Sequence, residues 1–207
     1  MLTRIDLHYF KCFEFLKLPL APLTLLSGSN ASGKSSVLQA LVLLQQTMRE
    51  HEWSKRLMLN GDSIRLGTVS DVVDKVHGRR SFQIGLSDDE TVYQWTFSGD
   101  RTEMSLSVEW VRVNDKQRNN PATLRYLLPP DKSKAQNGFA ERILGLTYIT
   151  AERVGPREVY ILEDRQTATV VGPTGEHALS LLHWGRDENV LEELAAIPGQ
   201  PKYLEYY

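Results

Sequence analysis

Apolar and polar residues alternate along the first part of the chain with the period of two that is typical of β-strands. Ile5 and Leu7 alternate with polar neighbours, and a second short strand is predicted around residues 16–20, with Pro19 marking an edge or a strand end. The segment "LTLLS", residues 23–27, is compact and apolar and predicts a third strand. The chain is therefore expected to open with a group of short strands.

From Lys34 onward the apolar residues follow helical spacing, which predicts a helix over "KSSVLQALVLLQQTMREHEW". The positions at this spacing are Leu38, Leu41, Val42, Gln45 and Met48. Leu43 and Leu44 make the middle of the helix apolar on most sides. A helix of this kind is expected between the layers of a fold rather than on its surface.

From about residue 60 the pattern changes to alternating segments separated by polar turns. "SFQIGL", "TVYQWTF" and "MSLSVEWVRV" each alternate with period two, which predicts an antiparallel meander. Two sets of residues are each expected to share one face: Tyr93, Trp95 and Phe97, and then Met104, Leu106, Val108 and Trp110. Core packing is favoured for the aromatic side chains over a platform for stacking bases.

Residues 113–141 are polar and contain two consecutive prolines, so we expect a loop or a mobile insertion there. Strand texture returns on both sides of the Gly155–Pro156 turn, and "TATVV" predicts another short strand. "HALSLLHWG" and "DENVLEELAAI" predict helices, and "KYLEYY" has the composition of a further helix start. We expect the fold to be truncated there or to continue beyond residue 207.

Three regions are predicted from these patterns. Residues 1–59 form the core with the glycine-rich loop, residues 60–145 form the meander with its insertion, and residues 146–207 continue the fold with strands and helices. The predicted fold class is α/β with an antiparallel β-rich arm.

The composition is that of an ordinary globular protein, with 207 residues, 41% hydrophobic and 24% charged, and a formal net charge of −2. Such a charge gives no general argument for binding nucleic acid or a membrane. Cys12 is the single cysteine, which excludes an internal disulfide and a thiolate metal site. The N-terminal residues predict no signal peptide, and no apolar run reaches the length of a membrane span. We therefore expect a cytoplasmic protein with no membrane association.

Four residues of the loop after "LTLLS" match the pattern G-x-x-x-x-G-K-[ST]: Gly28, Gly33, Lys34 and Ser35. Backbone N–H groups of such a loop curve around phosphates, and the following helix directs the positive end of its dipole at them. Lys34 is expected to reach the β- and γ-phosphates, and Ser35 to offer its hydroxyl to Mg²⁺. The sequence therefore predicts ATP and Mg²⁺ as cofactors. The predicted cofactor-binding residues are Gly28, Ser29, Asn30, Ala31, Ser32, Gly33, Lys34, Ser35 and Ser36, with Ser35 as the metal ligand.

The stretch "IDLHYFKCFEFLKLPLAPLTLLSGSNASGKSSVLQAL" resembles the N-terminal lobe of SMC/RecF/OLD-type ABC ATPases, in which an aromatic-basic "FK-F" element precedes a G-x-N-x-S-G-K-S loop. "LNGDSIRLGTVSDVV", "YITAERVGPREVY" and "VGPTGEHALSLL" resemble a branch of stand-alone prokaryotic AAA-type ATPases, relatives of the OLD proteins and of the Septu system's PtuA. Ala31 departs from this pattern, because many relatives have glycine there. If the position requires a positive φ, alanine costs about 1–2 kcal/mol.

The resemblance implies a split site, in which ATP lies between the loop of one head and a signature helix of a second head. A Walker B strand ending in Asp-Glu then supplies the metal-coordinating and water-activating carboxylates. The heads are implied to form a homodimer or a higher oligomer when ATP binds, and to control a nuclease or toxin effector. DNA or a phage component is the ligand that such systems often sense, so the resemblance implies a role in anti-phage defence or DNA repair.

The signature motif and Walker B are not evident in the sequence, and no catalytic residue is identified. "ALSLLHWGRDE" shares only Leu and Ser with a signature, and helix packing explains it better. The nearest Walker B candidate is "VYILED", in which Glu163 and Asp164 come in the reverse order, and a strand ending in a solvated turn is favoured over a metal site. Glu152 and Arg153 are implied by the resemblance to lie near a γ-phosphate sensor or a partner head, and a structural salt bridge is equally favoured.

The remaining polar clusters have simpler interpretations. His51 and Glu52 begin like "HExxH", but Lys55 occupies the second histidine position and excludes a zincin. His177 and His183 are favoured as surface or core residues, and "HGRR" and "KSK" as solvated basic patches.

Three functions remain open at this stage. The first is the N-terminal part of an OLD/SMC-like ATPase, and the second is a P-loop kinase for a small molecule with "VYILED" as its acidic strand. The third is a non-catalytic regulatory subunit that binds nucleotide. The long meander over residues 82–113 is unlike the compact insertions of small kinases and favours the first.

Overall fold

The computed structural model describes residues 1–73, 78–130, 134–152, 154–155, 158–164 and 170–188. The chain divides into two compact units, Met1–Leu146 and Thr147–Tyr207. "TATVV", "DENVLEELAAI" and "KYLEYY" lie wholly or mainly outside the described residues, as do Arg153 and most of "KSK". The three-region division predicted from the sequence stays a prediction.

One antiparallel sheet of seven strands dominates the first unit, with the order β2-β1-β4-β5-β6-β3 and with β7 paired to β6. The strands are β1 (Leu2–Phe10), β2 (Phe13–Pro19), β3 (Arg56–Met58), β4 (Ser81–Asp88), β5 (Val92–Ser98), β6 (Ser105–Val113) and β7 (Lys116–Asn119). Because β1 pairs with β4, the predicted meander is continuous with the N-terminal strands rather than a separate arm. Pro19 ends β2, as the sequence predicts.

Four helices are present in the described residues: α1 (Lys34–Glu50), α2 (Val69–Val72), α3 (Lys134–Leu144) and α4 (Ala178–Gly185). The first three belong to the first unit and α4 to the second. The prediction of α1 is confirmed, although the helix ends at Glu50 rather than at Trp53. α4 confirms the helix predicted from "HALSLLHWG". No helix of the described residues is long and apolar enough to cross a membrane.

The core of the first unit lies between one face of the sheet and the helices α1 and α3. Tyr93, Trp95 and Phe97 are fully buried there, which confirms their predicted role in core packing. The indole N–H of Trp95 donates to the carbonyl oxygen of Leu127 at 2.8 Å, so the one polar atom of this side chain is satisfied. Phe139 of α3 stacks on Tyr93, with ring centroids 3.8 Å apart.

The predicted shared face of β6 is only partly right. Leu106 and Val108 are buried, but the Met104 side chain is 65% exposed and Trp110 pairs with Thr96 on the opposite face of the sheet. The register of β5 and β6 shifts between Thr96 and Phe97. A β-bulge of this kind moves every later side chain to the other face, which explains the error.

The segment 113–141 is not a loop throughout, because it contains β7 and most of α3. Its apolar residues Leu124, Leu127, Leu128 and Phe139 belong to the hydrophobic core. The prediction of a loop or mobile insertion was therefore wrong for these parts. Isolated apolar residues in a polar stretch do not reveal that they reach a distant core.

Two further strand predictions are also wrong. Residues 23–27 form no strand, and Leu23 and Leu25 are 87% and 88% exposed. In the second unit, the described residues around Gly155 form no strand, and Val159 and Ile161 are exposed. The segment 23–27 has the apolar composition of a buried strand but pairs with no strand among the described residues. In the second unit, Thr150 and Val154 donate backbone hydrogen bonds to Pro173 and Thr174, but these two contacts do not form a strand ladder.

Candidate functional site

The glycine-rich loop joins the exposed segment 23–27 to helix α1. Ala31 has a φ of 64°, so the position does adopt the left-handed conformation that glycine accepts more easily. Gly33 is the N-cap of α1 and has a φ of 91°. The two positive φ angles turn the backbone sharply, so that the loop curves back over the first turn of the helix.

Gly33 is required by close packing as well as by its conformation. A Cβ at Gly33 would lie 2.5 Å from Cζ of Phe13 and 2.6 Å from Sγ of Cys12. Cys12 lies in the turn between β1 and β2, and Phe13 is the first residue of β2. This junction, the Cys12–Phe13 turn, therefore lies directly against the loop. These two contacts depend on how segments distant in the sequence pack together, so the sequence alone does not reveal them.

The N-terminus of α1 is open to an anion. Gly33 provides no side-chain cap, and the first turn of the helix contains no acidic residue. The first N–H groups of a helix have no partner within the helix, and the helix dipole makes this end positive. A cavity of about 320 Å³ lies against this end, lined by residues 30–36 and Cys12. The volume is within the range of small-molecule sites.

Lys34 is turned back onto the loop. Its ammonium group donates to the carbonyl oxygens of Gly28 at 2.8 Å and Ser29 at 2.7 Å. These contacts hold the charge beside the cavity. A phosphate oxygen is a stronger acceptor than a carbonyl oxygen, because hydrogen bonds between two charged groups are roughly twice as strong as neutral ones.

Lys11 fastens the β1–β2 turn to its surroundings. Its ammonium group donates to Oε1 of Gln39 on α1 at 2.6 Å, and its backbone N–H donates to the carbonyl oxygen of Val72 at 2.7 Å. Burial lowers the pKa of Lys11 from its usual value, and the neighbouring Cys12 and Asp71 partly oppose this shift. The turn that packs on Gly33 is thus held from both sides.

The structure brings together the residues predicted to bind the cofactor. Residues 30–36 line the cavity, and Gly28 and Ser29 hold Lys34 through their carbonyl oxygens. Ser35 is exposed at this cavity, and its role as a metal ligand stays a prediction. Among the described residues, no group of three or more His, Cys, Asp or Glu side chains could hold a metal ion.

Glu163 of the second unit has structural partners. Its carboxylate lies 2.8 Å from Nδ1 of His177, its N–H donates to Oγ of Ser180, and its carbonyl oxygen accepts from the indole of Trp184. These contacts join the segment 159–164 to α4. They fit a structural role for Glu163 and His177, while the metal role of "VYILED" stays an untested prediction.

The other candidate residues also have structural partners. Glu52 accepts a hydrogen bond from Arg125 at 2.7 Å, and His51 follows the last residue of α1. The ring of His183 meets Trp184 edge-on at 4.9 Å. The carbonyl oxygen of Glu152 accepts a hydrogen bond from the Thr150 hydroxyl at 2.6 Å.

The basic pair of "HGRR" makes side-chain contacts, since Arg79 lies over the Tyr9 ring and Arg80 lies 4.0 Å from Asp100.

Comparison with known proteins bears on the loop and the strands around it. Residues 1–128 match the AAA ATPase domain family, which is more than half of the chain. The sequence is 29% identical to the OLD nuclease of Thermus scotoductus over 112 residues. This alignment covers 53% of the chain and 20% of the nuclease. Over 88 residues, 42% of the chain, it is 33% identical to the DNA replication and repair protein RecF of Limosilactobacillus fermentum, of which this covers 23%.

The matched part of the chain thus spans about a fifth to a quarter of each relative's length. The family match includes β1, β2, the loop and α1, together with the strands β4 to β7. The chain belongs to the AAA ATPase domain family and carries the N-terminal part of an ATPase head of the SMC, RecF and OLD type.

Proposed function

We propose that the chain binds ATP with Mg²⁺ at residues 28–36 and forms one half of a composite ATPase site. The observation that carries this proposal is the uncapped N-terminus of α1 beside a cavity that Lys34 helps to line. Backbone N–H groups and one lysine are the groups that recognise a polyphosphate. Membership in an ATPase family favours this function over a small-molecule kinase.

Each residue of the loop has a distinct task in this proposal. Lys34 exchanges the carbonyl oxygens of Gly28 and Ser29 for the β- and γ-phosphates, while Ser35 gives its hydroxyl to Mg²⁺. Ala31 and Gly33 hold the backbone in the curve that directs its N–H groups inward. The Cys12–Phe13 turn supports this curve from behind.

The proposed second half of the site comes from another head. Leu23 and Leu25 directly precede the loop, and we expect another part of the ATPase head to cover their exposed side chains. In the proposed mechanism, ATP joins two heads, a signature helix from the partner head closes the site, and hydrolysis separates them. The names of the two relatives, a nuclease and a DNA repair protein, support control of a nuclease effector or of DNA in defence or repair.

Calorimetric titration of the chain with ATP tests the first part of the proposal. We expect a micromolar dissociation constant that depends on Mg²⁺, and negligible turnover by the chain alone. Lys34→Ala should weaken ATP binding about 10- to 100-fold or abolish it, because it removes charge-assisted hydrogen bonds to phosphate. Lys17→Ala is the matched control, since Lys17 is an exposed lysine on β2.

Two outcomes would contradict the proposal. Unchanged affinity in Lys34→Ala would exclude the loop as the phosphate site. Rapid hydrolysis by the isolated 207 residues would refute the composite site, because one head would then suffice. Sedimentation with a slowly hydrolysed ATP analogue tests whether two heads pair. If the complete ATPase stays monomeric at a saturating concentration of the analogue, pairing of the heads is excluded.

A further inference from the structure

A second cavity, of about 500 Å³, lies in the first unit at the far end of the sheet from the glycine-rich loop. Its walls are the β6–β7 hairpin, the start of β5, the residues Pro129 and Pro130, and the first turn of α3 at Gln136. The loop site lies at the Phe10 end of β1, whereas this cavity lies near the Leu2 end, where Leu2 is paired with Asp88. At the rise of a β-strand, the length of β1 alone separates the two sites by more than about 25 Å.

The charged wall of the cavity is cationic. Lys116 and Arg118 are two residues apart on β7, so both side chains lie on the same face, and both line the cavity. Neither forms an ion pair or a side-chain hydrogen bond with any other described residue. Among the described residues of the lining, Asp115 is the one acidic residue. The first turn of α3 contains no acidic residue, and the helix dipole adds positive potential at this end.

The floor of the cavity is formed by the buried side chain of Tyr93. Tyr93 is fully buried, and its hydroxyl forms no hydrogen bond of normal geometry with the described residues. Burial raises the pKa of Tyr93, and the neighbouring Thr91 side chain offsets part of this shift. Because the side chain is fully buried and Thr91 lies beside the hydroxyl, this atom is closed to a ligand in the cavity. The tyrosine ring, Val113 and the two prolines make the rest of the floor apolar.

We propose that this cavity binds a small phosphate-bearing molecule with an apolar or planar body, at a site separate from the glycine-rich loop. Lys116 and Arg118 hold the phosphate, with arginine suited to two parallel hydrogen bonds. The body lies over Val113 and Pro129. The cavity has the volume, the few convergent polar groups and the apolar lining of small-ligand sites.

The test uses AMP, which has a phosphate and a planar base but lacks the β- and γ-phosphates that Lys34 is proposed to hold. Calorimetry should show AMP binding to the full chain that survives Lys34→Ala. The double variant Lys116→Ala/Arg118→Ala should weaken binding about tenfold or more, and Lys116→Glu/Arg118→Glu should abolish it. Arg112→Ala is the matched control, because Arg112 lies on the opposite face of neighbouring strand β6, paired with Gln94.

Two further ligands define what is recognised. Adenosine should bind more weakly than AMP by at least the same factor, because it has no phosphate, and inorganic phosphate should also bind more weakly because it has no body. The proposal is overturned if AMP does not bind, if Lys34→Ala abolishes AMP binding, or if the Lys116/Arg118 double variants bind AMP as the parent does. Equal binding of AMP and adenosine would also overturn it. Because the proposal does not depend on ATP binding at the loop, either site can fail without the other.

Discussion

Replacing Gly33 with alanine tests the packing that supports the loop. Two costs add at this position. The backbone φ of 91° is strained for any residue with a Cβ, which costs about 1–2 kcal/mol. The new Cβ would also lie 2.5 Å from Phe13 and 2.6 Å from Cys12, and forcing extra volume into a packed site costs about 1–3 kcal/mol. We therefore expect Gly33→Ala to lower the free energy of unfolding by roughly 2–5 kcal/mol.

Gly78→Ala separates the two costs. Gly78 has a φ of 61°, but a Cβ there would meet only the end of Arg101 at 3.6 Å, an ordinary contact. This control should lose only the roughly 1–2 kcal/mol of backbone strain. Urea unfolding followed by circular dichroism measures both variants, and ATP titration should show weaker binding for Gly33→Ala alone. Equal destabilisation of the two variants would refute the claim that the Cys12–Phe13 turn presses on the loop.

Three more predictions concern stability. Ala31→Gly should raise the free energy of unfolding, measured in urea, by about 0.5–1 kcal/mol, because the relief of left-handed backbone strain exceeds the entropy cost of glycine. A lower free energy of unfolding would contradict the φ of 64°. Trp95→Phe should lower the free energy of unfolding by about 2–4 kcal/mol, because it leaves a void and an unpaired Leu127 carbonyl oxygen. The control Trp53→Phe, at a 61% exposed site, should lower it by less than about 1 kcal/mol. Because the folded pKa of Lys11 lies below its unfolded value, the unfolded state binds more protons between the two values, so stability should rise with pH as it approaches 10.5. Lys11→Met should lose this rise in pH-dependent unfolding curves, and an identical slope in both proteins would exclude Lys11 as its source.

The loop could be predicted from the sequence because its requirements are local. The Gly-Lys-Ser pattern, the start of α1 and the conformation of Ala31 each follow from what one residue needs of its own backbone. The contact of Cys12 and Phe13 with Gly33 could not be predicted in this way. It depends on the turn after β1, which Lys11 fastens to α1 and to Val72.

The errors in the sheet have two physical causes. A single bulge opposite Phe97 moved Trp110 off the core face, and nothing in the alternation of β6 alone reveals a register shift in its pairing. The segment 23–27 has the composition of a buried strand, yet its leucines are exposed. Apolar alternation predicts that a segment can be buried, whereas pairing also requires a neighbouring strand, and the described residues provide none at that edge.

Strand β1 connects the two proposed sites. Its Phe10 end supports the turn against Gly33, and its Leu2 end lies beside the β4–β5 turn that borders the second cavity. We expect the two sites to bind independently, because distant sites without shared partners have additive free energies. The affinity of the parent chain for ATP should then be the same with and without saturating AMP. If AMP changes the ATP affinity of the parent chain but not that of Lys116→Ala/Arg118→Ala, the two sites are coupled through the sheet. By linkage, ATP would then change the AMP affinity by the same factor.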